Sequence, residues 1–299
     1  MRQNAGSGAT GPRAARRPGN AARRMKRRRR RQTILCALSA LCLAALVRAL
    51  PLGDEERRTQ VPAPQAQTVV SDWGGRVPDA VRERAAEDPR ADAIVQDPSL
   101  CPQELLDLLD TAPEALELVL DYPQKGAEPP AQSVGDLTPG QLPQLFQWDV
   151  RWGYQAYGGT FLAVSGCGPT ALSMVAAGLT GDDSLTPAAI AAWADANGYA
   201  GENGTSWELL STGCAHFGLE AQELPLSASS VQGALEEGRP VICSVRPGDF
   251  TTAGHLIVLA AWREGQVLVH DPNSSARSTW WDYSRVEPQI RNLWAYRAA

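Results

Sequence analysis

Histidine is scarce in this chain: three in 299 residues, at positions 216, 255 and 270. No H-x-x-x-H or H-x-x-E-H spacing joins them, so a zinc site built from them is not expected. The six cysteines include no C-x-x-C pair, which removes the usual thiolate zinc site, and they are too few for a disulfide-built scaffold. G-x-x-x-x-G-K-[ST] and G-x-G-x-x-G are both missing, and nucleotide binding is left without support. No metal and no cofactor is therefore expected. Basic charge is also missing from most of the chain. Residues 1–31 hold 12 of the 28 Lys and Arg and no acid, and the rest sets 16 basic residues against all 33 acids. A body that acidic argues against nucleic-acid binding, which needs a basic face for phosphate. An apolar fraction of 43% with 20% charge is enough to bury a core.

The front of the chain reads as a targeting segment. The basic tail 1–32 ends in Met25-Lys26-Arg27-Arg28-Arg29-Arg30-Arg31, a self-repelling block. From Thr33 to Val47 no charge occurs, and Arg48 interrupts an apolar stretch that continues weakly to Leu52. This is short for a membrane span of ~17–25 residues, but Arg48 can snorkel to the headgroups. Positive charge on its N-terminal side places the tail in the cytoplasm and the body outside. The long basic region and the lack of a clean A-x-A site favour an uncleaved signal anchor at 33–52 over a cleaved signal peptide. Neither Cys36 nor Cys42 follows a lipobox.

Residues 53–78 are polar and Pro-containing, as a linker is. Residues 79–141 form a helical stalk or accessory segment. Pro102–Leu109 and Pro113–Leu120 show helical patterning with Pro and acids at their starts. Two such helices cannot build a core alone, so they are expected to dock on the C-terminal domain. A spacer is preferred over a pro-segment covering the active site, since no processing site is evident. Lys125–Leu142 is Pro/Gly-rich and marks the boundary.

From Leu142 to the end, aromatics become dense: Phe146, Trp148, Trp152, Tyr154, Tyr157 and Phe161. Then comes Ser165-Gly166-Cys167-Gly168-Pro169-Thr170. Glycines flank the thiol, Pro169 suits a first helical turn, Leu172, Val175, Ala176 and Leu179 recur at helical spacing, and Gly181 is placed to end the helix. Cys167 is thus predicted at a helix N-terminus, where unpaired N–H groups and the dipole stabilise a thiolate and can bind an oxyanion. Taken alone, Cys167 would read as a small buried residue. A partner is needed, and the hairpin of Ala253–Trp262, a strand opened by Gly254 and His255, and Gln266–Asp271, with the turn Arg263-Glu264-Gly265, offers one. If Trp262 pairs with Gln266, Ile257 faces Asp271 and His255 faces Asn273. His255, Asp271 and Asn273 then share a face, and His270 points away. This sets an imidazole beside a carboxylate, with an amide as the alternative orienting group. His216 reads as a helix-end residue near Phe217, and Cys214 and Cys243 as buried apolar groups.

Gln147-Trp148-Asp149, Trp152, Tyr157-Gly158, Gly166-Cys167-Gly168-Pro169-Thr170, Gly248-Asp249-Phe250-Thr251, Gly254-His255 and Asp271-Pro272-Asn273-Ser274, in that order, resemble family 39 of the cysteine peptidases. The likeness is to its stand-alone bacterial branch, relatives of the double-glycine leader bacteriocin-processing peptidases, and covers roughly Leu142–Tyr296. It implies an α+β, papain-like peptidase fold over 142–299, a helical half packed on an antiparallel sheet, here preceded by the membrane helix and the short stalk. It implies Cys167 as nucleophile, His255 as general base and acid, and Asp271 as the orienting acid. Gln147 becomes the candidate oxyanion-hole amide, although 20 residues separate it from Cys167. It can reach the thiol only if 149–166 forms an excursion. The segment at Thr205-Ser206-Trp207-Glu208 would line the cleft, and Asp249 most simply holds its own turn.

The expected function is a cysteine peptidase acting on a peptide or protein substrate outside the cytoplasmic membrane of a bacterium, anchored by one span. Two alternatives remain. One is a cell-wall peptide hydrolase or acyl transferase using the same residues. The other is a silent papain-fold module that binds peptides.

Overall fold

The computed structural model describes residues 76–201 and 204–299. The basic tail, the membrane helix 33–52 and nearly all of the linker expected from the sequence lie outside the described residues. Among the described residues no helix is long and apolar enough to cross a membrane. The last residues of the expected linker are described, and Val77 is already buried. Ordered packing therefore starts before residue 79.

The N-terminal part carries four short helices: α1 (Asp79–Arg84), α2 (Pro89–Gln96), α3 (Gln103–Leu108) and α4 (Leu116–Lys125). The sequence marked α3 and α4 and missed α1 and α2. Pro113–Ala115, expected as helix, is a 3-10 turn leading into α4. The start of α2 is locally encoded: the Asp88 carboxylate accepts from the Arg90 N–H at 2.9 Å, and Pro89 takes the first position. None of these helices is long enough to persist alone in water. They hold together by sharing one apolar cluster that includes Val81, Ile94, Leu105, Leu106, Leu118 and Leu120. That cluster does not close on itself. Ala163 completes it, with Phe161 and Val164 packed at its border, and Tyr154 donates its hydroxyl to the Leu118 carbonyl at 2.8 Å. The segment is thus docked, as expected, and the surface it docks on is the chain just before Cys167.

That chain makes an excursion. Turns over 149–155 lead to a two-stranded hairpin, β1 (Ala156–Tyr157) and β2 (Thr160–Phe161), and then to α5 (Leu162–Ser165). The next helix, α6 (Cys167–Thr180), begins at the thiol and stops at Gly181, whose φ of 74° is left-handed. Every residue from Gly168 to Ala177 is buried, so α6 is apolar around most of its circumference. It packs beside α7 (Pro187–Ala196). A second small hairpin, β3 (Ala200–Gly201) and β4 (Gly204–Thr205), precedes α8 (Trp207–Ser211), whose start is capped by the Ser206 hydroxyl, as the sequence suggested.

The rest is a six-stranded antiparallel sheet. Its strands are β5 (Leu219–Glu223), β6 (Val241–Val245), β7 (His255–Arg263), β8 (Gln266–His270), β9 (Trp280–Asp282) and β10 (Ile290–Ala298), in spatial order β5-β10-β6-β7-β8-β9. The short helices α9 (Ala228–Glu236) and α10 (Tyr283–Val286) lie between strands in sequence. The sheet is covered on both faces. Ile242, Leu256, Val258, Trp294 and Tyr296 join the cluster around α6, while their alternates Val241, Cys243, Ile257, Leu293 and Ala295 join a second cluster with α9 and α10. Burial on both faces explains why β6 is buried at every position instead of alternating.

The β7–β8 register corrects the sequence reading in one respect. Arg263, not Trp262, pairs with Gln266. The turn has two residues, Glu264 and Gly265, with φ of 50° and 82°. Two positive φ angles make the turn whose twist matches a hairpin. The pairing is therefore one residue out of the expected frame near the turn. A bulge between Leu259 and Ala261 inserts one residue and restores the frame, so that Leu259 meets Val269 and Val258 meets His270. The ladder ends there, and Asp271 turns back to bridge Ser274. Asn273 consequently does not stand opposite His255 in the sheet.

Candidate active site

Three elements converge at the N-terminus of α6. The helix supplies Cys167, whose N–H lies in a first turn that has no preceding acceptor within the helix. Strand β7 supplies His255, its first residue. The loop after β8 supplies Asp271. The imidazole Nε2 lies 2.7 Å from Asp271 Oδ1, and the Cys167 side chain is close enough to the ring to help raise its pKa. Asp271 is fully buried, and both its carboxylate oxygens are engaged. Oδ1 also receives the Asn273 N–H at 2.8 Å, and Oδ2 receives the Arg277 Nε–H at 2.6 Å.

The electrostatics follow from these contacts. Burial pushes the His255 imidazole down, but hydrogen bonds and charge from Asp271 and Cys167 outweigh it and raise the group from 6.5 to about 9. Burial pushes the Asp271 carboxyl up, and His255 and Arg277 outweigh that and hold it below the usual carboxylate value. Both shifts favour the charged pair, imidazolium and carboxylate.

The site opens on a groove of 730 Å³. Gln147, Thr205, Trp207 and Ser244 line it beside Cys167 and His255, with the 248–254 loop and Asn273 along other parts of its wall. Thr205 sits on Gly168, where an added Cβ would come within 2.2 Å of the threonine hydroxyl. Only glycine lets the β3–β4 hairpin close against the residue after the thiol. Asp249 does not hold its own turn, the role expected of it: its carboxylate pairs with Arg285 at 2.6 Å and accepts from Gln289 at 2.8 Å, which ties the 248–254 loop to the 285–289 segment.

Gln147 reaches this place because of the excursion over 149–166. Its backbone N–H donates to the Pro272 carbonyl at 2.8 Å, and its side chain is buried. The amide Nε2 donates to the Ala163 carbonyl at 2.8 Å and, more weakly, to that of Val164 at 3.3 Å, while Oε1 has no partner among the described residues. Asn273 also borders the groove, and its Oδ1 is likewise without a partner among them. It meets Asp271 through its backbone, so the orienting contact on His255 is the carboxylate. His270 points elsewhere: it is buried against the Pro143 backbone, and burial pushes it down. His216 stacks on Trp193 with centroids 4.3 Å apart. Cys214 and Cys243 are buried, as expected.

Arg277 was missed by the sequence reading, as was Ser278, whose hydroxyl receives the Asp271 N–H at 2.9 Å. Both lie in an irregular loop with no periodicity to mark them. The spacing Asp271-x5-Arg277 is the one local hint. No group of three or more His, Cys, Asp or Glu able to hold a metal occurs among the described residues.

An α+β chain in which the first turn of a helix meets the end of an antiparallel strand across a groove fits the papain-like class of fold. The chain belongs to the Peptidase_C39 like family, whose model matches residues 141–298. Two solved structures are similar to it. One is the peptidase domain of Streptococcus ComA, a bi-functional ABC transporter involved in a quorum-sensing pathway, with 20% identity, 45% of this chain and 91% of that chain covered, and a TM-score of 0.34. The other is a putative C39-like peptidase from Bacillus anthracis, with 15% identity, 55% and 100% covered, and a TM-score of 0.37. No curated protein matches.

Proposed function

We propose that the protein is a cysteine peptidase that hydrolyses peptide bonds with Cys167 as nucleophile, His255 as proton carrier and Asp271 as the group that orients and charges the imidazole. Membership of a C39-like family suggests the chemistry. The observation that carries the residue assignment is the His255–Asp271 hydrogen bond, with its carboxylate buried and with Cys167 beside the imidazole on the wall of one open groove.

In this reading the Cys167 sulfur attacks the substrate carbonyl while His255 holds the thiol's proton. Negative charge develops on the carbonyl oxygen at the N-terminus of α6. There the Cys167 N–H and the helix dipole stabilise it. Gln147 is the side-chain donor, giving up its longer bond to the Val164 carbonyl. His255 then gives its proton to the leaving amine. Water, deprotonated by the same imidazole, releases the acyl group and restores the thiol. Arg277 holds the far oxygen of Asp271 and keeps the carboxylate turned toward the ring.

The site of action is outside the cytoplasmic membrane, with 33–52 as a single anchoring span. What supports this is the dense basic block followed directly by an apolar run.

The test is hydrolysis of a mixed peptide pool, read by mass spectrometry, alongside alkylation of Cys167 by iodoacetamide. Cys167→Ala and His255→Ala should each abolish turnover while keeping a native circular dichroism spectrum. A Cys167→Ala protein that still cleaves the pool at the wild-type rate would sink the assignment.

A further inference from the structure

The loop that carries Asp271 is closed mostly on itself. Ser274 N–H donates to the Asp271 carbonyl at 3.3 Å, Ser278 Oγ donates to the Ser274 carbonyl at 2.8 Å, and Arg277 N–H donates to Ser274 Oγ at 3.3 Å. One anchor comes from far away in sequence. Glu114, in the 3-10 turn before α4, accepts from Ser274 Oγ at 2.9 Å, from the Ser275 N–H at 2.9 Å and from the Ala276 N–H at 3.5 Å. The turn is itself rigidly seated, since Ala112 and Ala115 on either side are buried in the cluster shared by α1–α4. Burial pushes the Glu114 carboxyl up, but the bonds from 274–276 outweigh it and keep it below its usual value. Asp110 and Thr111 of the same stretch reach the groove wall.

We propose that Glu114 is a positioning residue of the catalytic site. From the N-terminal helical segment it fixes the 274–276 loop, and through that loop it keeps the Asp271 carboxylate against His255. The segment is then a working part of the active site and not a spacer. The inference rests on the reading that Cys167, His255 and Asp271 do the chemistry. A carboxylate that accepts two backbone N–H groups and a hydroxyl fixes the path of a loop more tightly than any neutral side chain at that place. Losing it frees Ser274 and Ser275, the residues next to the Asp271–Arg277 pair.

The experiment uses the full chain and measures the rate of Cys167 alkylation by iodoacetamide at pH 6.5 and pH 8.5. Alkylation follows the thiolate, which a charged His255 stabilises. His255 stands at about 9, so a loss of about one pK unit leaves it charged at pH 6.5 and discharges much of it at pH 8.5. Glu114→Gln should slow labelling at pH 8.5 roughly 2- to 8-fold and leave pH 6.5 unchanged. Glu114→Asp keeps the charge but withdraws it by one methylene. It should give a smaller loss of the same pattern, and it serves where the Gln variant does not fold. Arg84→Gln breaks an exposed ion pair with Glu117 in the same segment and should leave both rates at wild type. Wild-type labelling at pH 8.5 in a folded Glu114 variant overturns the positioning role, and so does an equal loss at both pH values. Neither result touches the proposed function, which fails instead if turnover survives Cys167→Ala.

Discussion

Replacing Asp271 with Asn tests the electrostatics of the site with almost no change of shape. In the wild-type chain the imidazole stands at about 9 instead of 6.5, although it is buried and burial works the other way. At ~1.4 kcal/mol per pK unit, Asp271 and Cys167 together supply at least about 3 kcal/mol in favour of imidazolium. Assigning roughly half of that to the carboxylate, Asp271→Asn should lower the imidazole by about 1–2 pK units. The charge on His255 at pH 8.5, and with it the alkylation rate of Cys167, should then fall ~3- to 25-fold, with little change at pH 6.5, where the imidazole stays charged in both proteins. Stability carries the same signature. A raised histidine stabilises the fold fully below its unfolded value of 6.5, and the contribution is lost as pH rises through about 9. The variant also leaves Arg277 without its carboxylate, and breaking a buried pair costs ~3 kcal/mol or more. At ~2–4 °C per kcal/mol for a unit of this size, the thermal midpoint should drop by at least about 6 °C at pH 6.5. The difference from wild type should narrow toward pH 9. Differential scanning calorimetry across pH reads the second effect, and mass spectrometry of labelled peptide reads the first. A folded Asp271→Asn protein that alkylates at pH 8.5 as fast as wild type would refute the claim that this carboxylate charges the imidazole.

Two further outcomes are expected. Gln147→Ala should reduce kcat ~10²- to 10³-fold on peptides while leaving iodoacetamide labelling of Cys167 unchanged, because alkylation develops no oxyanion. A parallel loss in both assays would make Gln147 a structural residue of the 163–164 turn. Among Cys101, Cys167, Cys214 and Cys243, native protein at pH 7 should label at Cys167 alone. Burial pushes Cys101 up to about 12, Cys214 up to about 11 and Cys243 further still. Labelling of any of these three in the folded Cys167→Ala variant would contradict their burial.

The relay and the accessory segment together change what the N-terminal helices mean. Their apolar cluster is completed by Ala163, four residues before the thiol, and Glu114 reaches the loop beside Asp271. The same segment therefore braces both the nucleophile's approach and the acid's loop. Helices this short have little stability of their own, so the bracing depends on shared burial.

Local signals in the sequence were enough for the helix that begins at Cys167 and stops at Gly181. The flanking glycines, Pro169 and the apolar spacing each act within a few residues. They were also enough for the pair of strands that starts at His255 and ends just before Asp271, and for the burial of Cys214 and Cys243. What the sequence could not fix was the frame in which those strands meet. A two-residue turn moves the pairing by one, and a bulge near Ala260 moves it back. Without the bulge, Asp271 would share a face with Leu256 and Val258 and could not reach His255. Neither the turn type nor the bulge leaves a periodic trace, because each is chosen by twist and by packing against both sheet neighbours. Gln147, Arg277 and Glu114 depend on contacts across 16, 6 and 160 residues. Such contacts exist only once an apolar core has brought distant loops together, so only the folded chain decides them.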